Sequence, residues 1–219
     1  MKHGNSCNFT FEHYREVFKD ALVKGYVISK LKDYNDNIRK KNVIFLRHDV
    51  DFDIGLALRL AKVEHELGIH STYFVRLHAN YNLFSYNNYT SLKKIINMGH
   101  ELGLHHESGF SNLFNESEID MIRKEKGILE SIANCKVKGI SLHEPSRVGS
   151  KLDPKWFDKL DFEYDAYSRK FINDIKYISD SSARWREGCM CNFIKSKEPK
   201  LCILIHPFWW YDLSPLQNY

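Results

Sequence analysis

The residues best suited to chemistry in this chain stand where apolar runs stop. Val43-Ile44-Phe45-Leu46 leads straight into Arg47-His48-Asp49-Val50-Asp51. β-Branched and aromatic residues favour a buried strand, and this one ends in charge instead of turn residues. Because strand side chains alternate, Arg47, Asp49 and Asp51 share one face while His48 and Val50 take the other. Two neighbouring carboxylates repel, so the pair implies a metal, an arginine or a shared proton. An Asp-rich loop that caps the following helix explains the same residues without chemistry. Other segments weigh against that plainer account. The run from His100 ends in His105-His106-Glu107, the run from Lys138 ends in His143-Glu144-Pro145, and two later runs end at Asp180 and His206. One histidine at a strand end is ordinarily a satisfied structural group. Asp49, Asp51, His105, His143, Asp180 and His206 together point to one convergent site, since strand C-termini of an α/β barrel converge on its axis.

Periodicity supplies the elements that must position these groups. Phe11, Tyr14, Phe18 and Leu22 recur at helical spacing, with Thr10 as cap and Gly25 as stop, which predicts an N-terminal helix over about 9–24 packed on the barrel or sheet that follows. Leu56, Leu60, Val63 and Leu67 mark a second helix closed by Gly68. Strands are expected at 43–51, 71–75, 100–105, 138–143, 162–167, 175–179 and 201–205. Further helices are expected around Leu92 to Ile96, after Ser117, and after Asp153-Pro154, where Trp156, Phe157 and Leu160 supply the buried side. The stretch 77–88 reads as a long loop, and 162–202 is loop-rich. Strand-helix alternation argues for α/β architecture with a parallel sheet or barrel.

Composition narrows the class. A chain of 219 residues, 43% hydrophobic and 27% charged, suits a single globular domain over 1–219. The net charge of +4 is spread along the chain, which argues against nucleic acid as a partner. No apolar run approaches the ~20 residues that span a bilayer, so any membrane association is at most peripheral. Cys7, Cys135, Cys189, Cys191 and Cys202 have no framework spacing and no apolar export segment precedes them, so a reduced, cytoplasmic protein is expected. Cys189-Met190-Cys191 lacks the second cysteine pair that a four-ligand zinc site needs, so zinc is not expected there. Trp185, Trp209 and Trp210 suit a groove that holds sugar rings, although core packing accounts for most aromatics.

The ordered set Arg47-His48-Asp49-Val50-Asp51, Gly99-His100-Glu101-Leu102-Gly103-Leu104-His105, His143-Glu144-Pro145, Tyr177 to Trp185 and Leu204-Ile205-His206-Pro207 resembles the polysaccharide deacetylase superfamily, the NodB-homology or carbohydrate esterase family 4 fold. It looks like a divergent branch in which HDVD replaces the more usual TFDDG. The resemblance implies a deformed (β/α)7 barrel with a divalent metal, usually zinc, that hydrolyses the acetamide of an N-acetylated sugar. By position, Asp49 matches the catalytic base, Asp51 and His105 match metal ligands, and His206 matches the general acid, with Asp180 placed to orient it. Arg47, Glu107, Trp185 and Trp209 are expected to contact substrate. Such chemistry needs a cation to polarise the carbonyl and acidify a water while a base and an acid move protons.

Two departures stand out. Gly109 occupies the place of the second histidine of the family's HxxxH, and His143 the place of the arginine in the Arg-x-Pro that steadies the base. His106 or Glu107 is therefore expected to complete the metal set, although His106 on a strand faces away from His105; His143 is a ligand or a proton carrier. The reading that follows is a metal-dependent hydrolase of N-acylated sugars in surface polysaccharide biosynthesis. Its rivals are a non-catalytic carbohydrate-binding or assembly protein with a degenerate metal site, and other acyl or amide chemistry on the same scaffold.

Overall fold

The computed structural model describes residues 7–145 and 152–218. Its strands are β1 (Val27–Ser29), β2 (Val43–Val50), β3 (Thr72–Arg76), β4 (Glu101–His106), β5 (Gly139–Leu142), β6 (Tyr164–Asp165), β7 (Lys176–Ser179) and β8 (Lys200–Ile205). The helices are α1 (Phe11–Val23), α2 (Tyr34–Asn37), α3 (Ile54–Glu66), α4 (Tyr86–Asn97), α5 (Glu118–Ala133), α6 (Trp156–Leu160), α7 (Arg169–Ile172) and α8 (Met190–Lys195). Every strand pairing is parallel, in the order β6-β5-β4-β3-β2-β8-β7, with β1 beside the first residues of β2. The sheet curls without closing, since no pairing joins β6 to β7 among the described residues. This is the deformed (β/α) barrel of the polysaccharide deacetylase type that the sequence led us to expect.

Alternation along β2 sorts its side chains as the pattern required. Val43 and Phe45 pack inside the curl with Phe74, Tyr164, Phe171 and Cys202, whereas Ile44 and Leu46 pack outward against α1 and α3. Higher on the inner face come Arg47 and Asp49, both buried. On the outer face, His48 Nε2 lies 2.7 Å from Glu64 on α3, and Glu64 also accepts hydrogen bonds from the hydroxyls of Tyr14, Ser71 and Tyr73. One buried carboxylate thereby ties α1, α3, β2 and β3 together directly behind the strand that carries the acids. β4 repeats the alternation, with Gly103 and His105 turned inward and Leu104 and His106 outward. A Cβ on Gly103 would stand 2.4 Å from the Phe74 ring, so only glycine lets β3 and β4 close here.

Several expectations shift in detail. Thr10 does cap α1, accepting from His13 N, but Leu22 is 38% exposed and the buried stripe instead runs through His13 and Val17. The strand expected over 162–167 shrinks to Tyr164–Asp165, because Phe162 is held in a turn by its N–H bond to the Phe157 carbonyl. α4 begins at Tyr86, inside the stretch read as loop, where Asn and Tyr hide the helical period.

Candidate active site and metal centre

Parallel pairing stacks the strand ends on one rim. Asp49 on β2 is level with Phe74 on β3, and His105 on β4 is level with Arg76 on β3 and Ser141 on β5. Above that rim opens a cavity of about 830 Å³, within the range of small-molecule sites, with Asp49, Asp51, His105, His143 and His206 on its wall.

Asp49 is gripped on one oxygen only. Its Oδ2 accepts from Arg47 Nη2 at 2.7 Å and from Ser141 Oγ at 3.4 Å, while Oδ1 is buried with no partner. Burial alone would lift this carboxyl, yet Arg47, followed by His105 and His206, holds it below the usual carboxylate range. Arg47 is completely buried, donates also to Ser141 Oγ (2.8 Å) and the Ala166 carbonyl (3.1 Å), and lies 4.5 Å over the Tyr167 ring. The expectation that Arg47 contacts substrate is thus corrected: it points along the same inner face as Asp49, below the rim, and spends its charge there.

Asp51, one pleat further, faces three imidazoles. Its Oδ1 is 3.1 Å from His105 Nε2 and 3.8 Å from His143 Nε2, and Oδ2 is 3.9 Å from His206 Nε2. Burial would raise its pKa, but His105, with His206 and His143 behind it, brings it down to about 2. The Ser141 carbonyl sits 3.1 Å from His105 Nδ1 and can only accept, so Nδ1 carries a proton and Nε2 is turned to Asp51. Burial and the neighbouring His105 lower the pKa of His143, which favours its neutral, ligand-competent form.

Asp51, His105 and His143 each offer an atom within 4.8 Å of the others, and Asp51 Oδ1 has no hydrogen-bond partner although it is buried. One carboxylate and two imidazoles beside an open cleft fit a divalent cation of the zinc type with a position left for substrate. His106 is not part of this set. Its ring lies on the outer face of β4, with Nδ1 2.8 Å from Glu125 and Nε2 2.8 Å from Glu118, both on α5, and these carboxylates outweigh burial to push its pKa up to about 9. The strand alternation was the available signal. Glu107 is likewise taken, by an ion pair with Arg76, and does not line the cavity. Gly109, where a histidine was sought, has a φ of +83°, a left-handed conformation that glycine favours, and donates its N–H to Glu118.

The opposite wall belongs to β7 and β8. His206 Nδ1 is 2.6 Å from Asp180 Oδ1, and Trp210 Nε1 donates to the other oxygen at 2.9 Å. Although burial disfavours the charged ring, Asp180, then Asp51 and Asp49, raise the His206 pKa to about 9, so it holds a proton at neutral pH. Trp185 and Trp209 line the cleft, whereas Trp210 is buried beneath it. Tyr167 and Tyr177, which sequence reasoning did not single out, line it as well.

Comparison with protein-family models gives no match, and neither does comparison with curated proteins. Comparison with solved structures does. The peptidoglycan deacetylase PdaC from Bacillus subtilis superposes with a TM-score of 0.54 at 16% identity, over 78% of this chain and 77% of that one. A putative polysaccharide deacetylase from Bacillus anthracis gives 0.53 at 11% identity, over 94% of this chain and 58% of that one. The chitin deacetylase of the fungal pathogen Colletotrichum lindemuthianum gives 0.51 at 14% identity, over 80% and 78% respectively. At these identities the likeness is one of fold.

Proposed function

From the premise that this chain has the polysaccharide deacetylase fold, we propose that it hydrolyses the amide of an N-acylated, most simply N-acetylated, sugar with the help of a divalent cation, zinc. The observation that carries the reading is the meeting of Asp49, Asp51, His105, His143 and His206 around one cleft. Asp51, His105 and His143 would hold the cation, which when bound supplies a Lewis acid for the acyl oxygen and for water. Asp49, ionised and clamped by Arg47 on Oδ2, presents Oδ1 to take the proton of the attacking water. His206, protonated and oriented by Asp180, gives a proton to the departing amine nitrogen. Trp185, Trp209, Tyr167 and Tyr177 offer flat faces to a sugar ring.

The compartment in this reading is the reducing cytoplasm, and the reaction one of surface polysaccharide biosynthesis, in keeping with cysteines that show no framework spacing. Among the described residues no helix is long and apolar enough to cross a membrane. The test is acetate release from N-acetylated amino-sugar oligomers by zinc-loaded wild type and Asp49→Asn. Turnover should fall at least about 100-fold in the variant; equal rates in the two would refute the hydrolase and leave a carbohydrate-binding protein.

A further inference from the structure

Away from the cleft, the fold gathers a second set of metal-ligating side chains. Cys189 and Cys191 sit at the start of α8, and their positions alone gave no reason to expect zinc. α1 brings His13 against them, and the segment that precedes α1 brings Cys7. His13 Nε2 lies 3.2 Å from Cys189 Sγ, and Cys7 Sγ lies 3.5 Å from Cys191 Sγ. All four ligand atoms fall within 4.8 Å of one another. Zinc with Zn–S bonds of about 2.3 Å and a Zn–N bond of about 2.0 Å holds tetrahedral ligand atoms roughly 3.5–3.8 Å apart, so little movement is needed to receive it. His13, Cys189 and Cys191 are buried, and Cys7 is exposed and closes the solvent side.

We infer that Cys7, His13, Cys189 and Cys191 form a structural zinc site of the Cys3His kind, separate from the cleft. Three thiolates and one imidazole are soft ligands that select zinc over magnesium or calcium, and four protein ligands leave no open position for catalysis. The site ties together segments some 180 residues apart in sequence, given the separation of 184 between Cys7 and Cys191. It also acts on the cleft wall at one remove. Between Cys7 and α1, Phe9 stacks on Trp185 with centroids 6.0 Å apart and meets the edge of Trp210 at 5.5 Å, and Phe9 O accepts from Tyr211 N at 2.9 Å. Anchoring Cys7 therefore fixes the backing of Trp185, which lines the cleft, and of Trp210, which holds Asp180. This proposal stands on geometry independent of the hydrolase reading.

The test is zinc content of the full chain, purified under reducing conditions and measured by mass spectrometry of the metal. Wild type should carry one equivalent more than Cys189→Ser/Cys191→Ser, while Asp51→Ala/His143→Ala should keep the thiolate-bound ion whatever the cleft binds. Cobalt substitution should give a thiolate-to-cobalt charge-transfer band in wild type and in Asp51→Ala/His143→Ala, and none in the cysteine variant. Should that variant fail to fold, the wild type suffices: titration with an organomercurial should release one zinc as Cys7, Cys189 and Cys191 react. Zinc content unchanged by the cysteine substitutions, no thiolate band, or a Cys7–Cys191 disulfide in the reduced preparation would overturn the site.

Discussion

Replacing Arg47 with methionine tests whether the charge inside the barrel governs the base. Methionine has comparable bulk and no charge, so it fills the space beside Tyr167 while leaving Asp49, only 2% exposed, without its main counter-ion. Removing one partner of a buried pair costs about 3–5 kcal/mol. His105 and His206 also lower the Asp49 pKa and soften the loss, so the cost should lie towards the lower end of that span, and the Asp49 pKa should rise. In wild type the folded-state pKa is depressed, so the pair's stabilisation is present above the unfolded value and is lost as pH falls through the folded one. In the variant much of that depression is removed, so the folded state takes up the Asp49 proton at higher pH than wild type does. Urea denaturation of both proteins, with zinc chelated, should show a stability gap that is widest at neutral pH and narrows as pH falls towards the ordinary carboxyl value of 3.8. With N-acetylated substrate, the acid limb of the rate profile should move to higher pH. A gap that stays constant over this range would mean that Arg47 only packs, and would refute its role as the counter-ion that keeps Asp49 ionised.

Two further outcomes follow from the same geometry. His143→Ala should weaken zinc in the cleft by more than the about 100-fold typical of losing an outer partner, whereas His106→Ala should leave that affinity intact and lower stability instead; competition with a chelator of known affinity reads both, and the reverse order would restore His106 as ligand. For Glu64, burial would raise the pKa, but His48 and its other partners bring it down to about 2 against an ordinary value of 4.5. That difference is worth about 3 kcal/mol, fully present above about pH 4.5 and lost as pH falls to about 2, so Glu64→Gln should flatten the acid arm of the stability curve, and an unchanged arm would contradict the assignment.

The parts of the site that could be read from sequence are those that depend on the two-residue period of a strand. Alternation put Asp49 and Asp51 on one face, and the same rule warned that His106 turns away from His105. Alternation also placed Arg47 beside Asp49, yet substrate contact was expected of it, since only the curl of the sheet shows that this face is closed over at the height of residue 47. His143 joined Asp51 and His105 as a candidate ligand only once β5 was known to lie next to β4, a pairing that no local pattern encodes. The cysteine and histidine cluster was least legible, because its members come from opposite ends of the chain and the spacing of Cys189 and Cys191 offers half a site. Between 162 and 202 short elements carry too few residues for a period to emerge, and β6 spans two.

The departures from the motif pattern compensate one another. Where arginine was expected at 143 there is an imidazole, and where histidine was expected at 109 there is a glycine with positive φ. The guanidinium that steadies Asp49 comes from Arg47 on the same strand. Residues two apart on a strand stand about 7 Å apart on one face, a span that an arginine side chain crosses without help from any loop. In the proposed site Asp49 is held from its own strand, so the end of β5 is free to face Asp51 and His105: the Ser141 carbonyl sets the tautomer of His105, and the His143 ring stands edge-on to it with centroids 5.3 Å apart. Gly109 in turn hands its N–H to Glu118, which with Glu125 holds His106 on the outer face. The proposed hydrolase therefore does not need a histidine at 109, because Asp51, His105 and His143 already bring three candidate ligand atoms within 4.8 Å of one another.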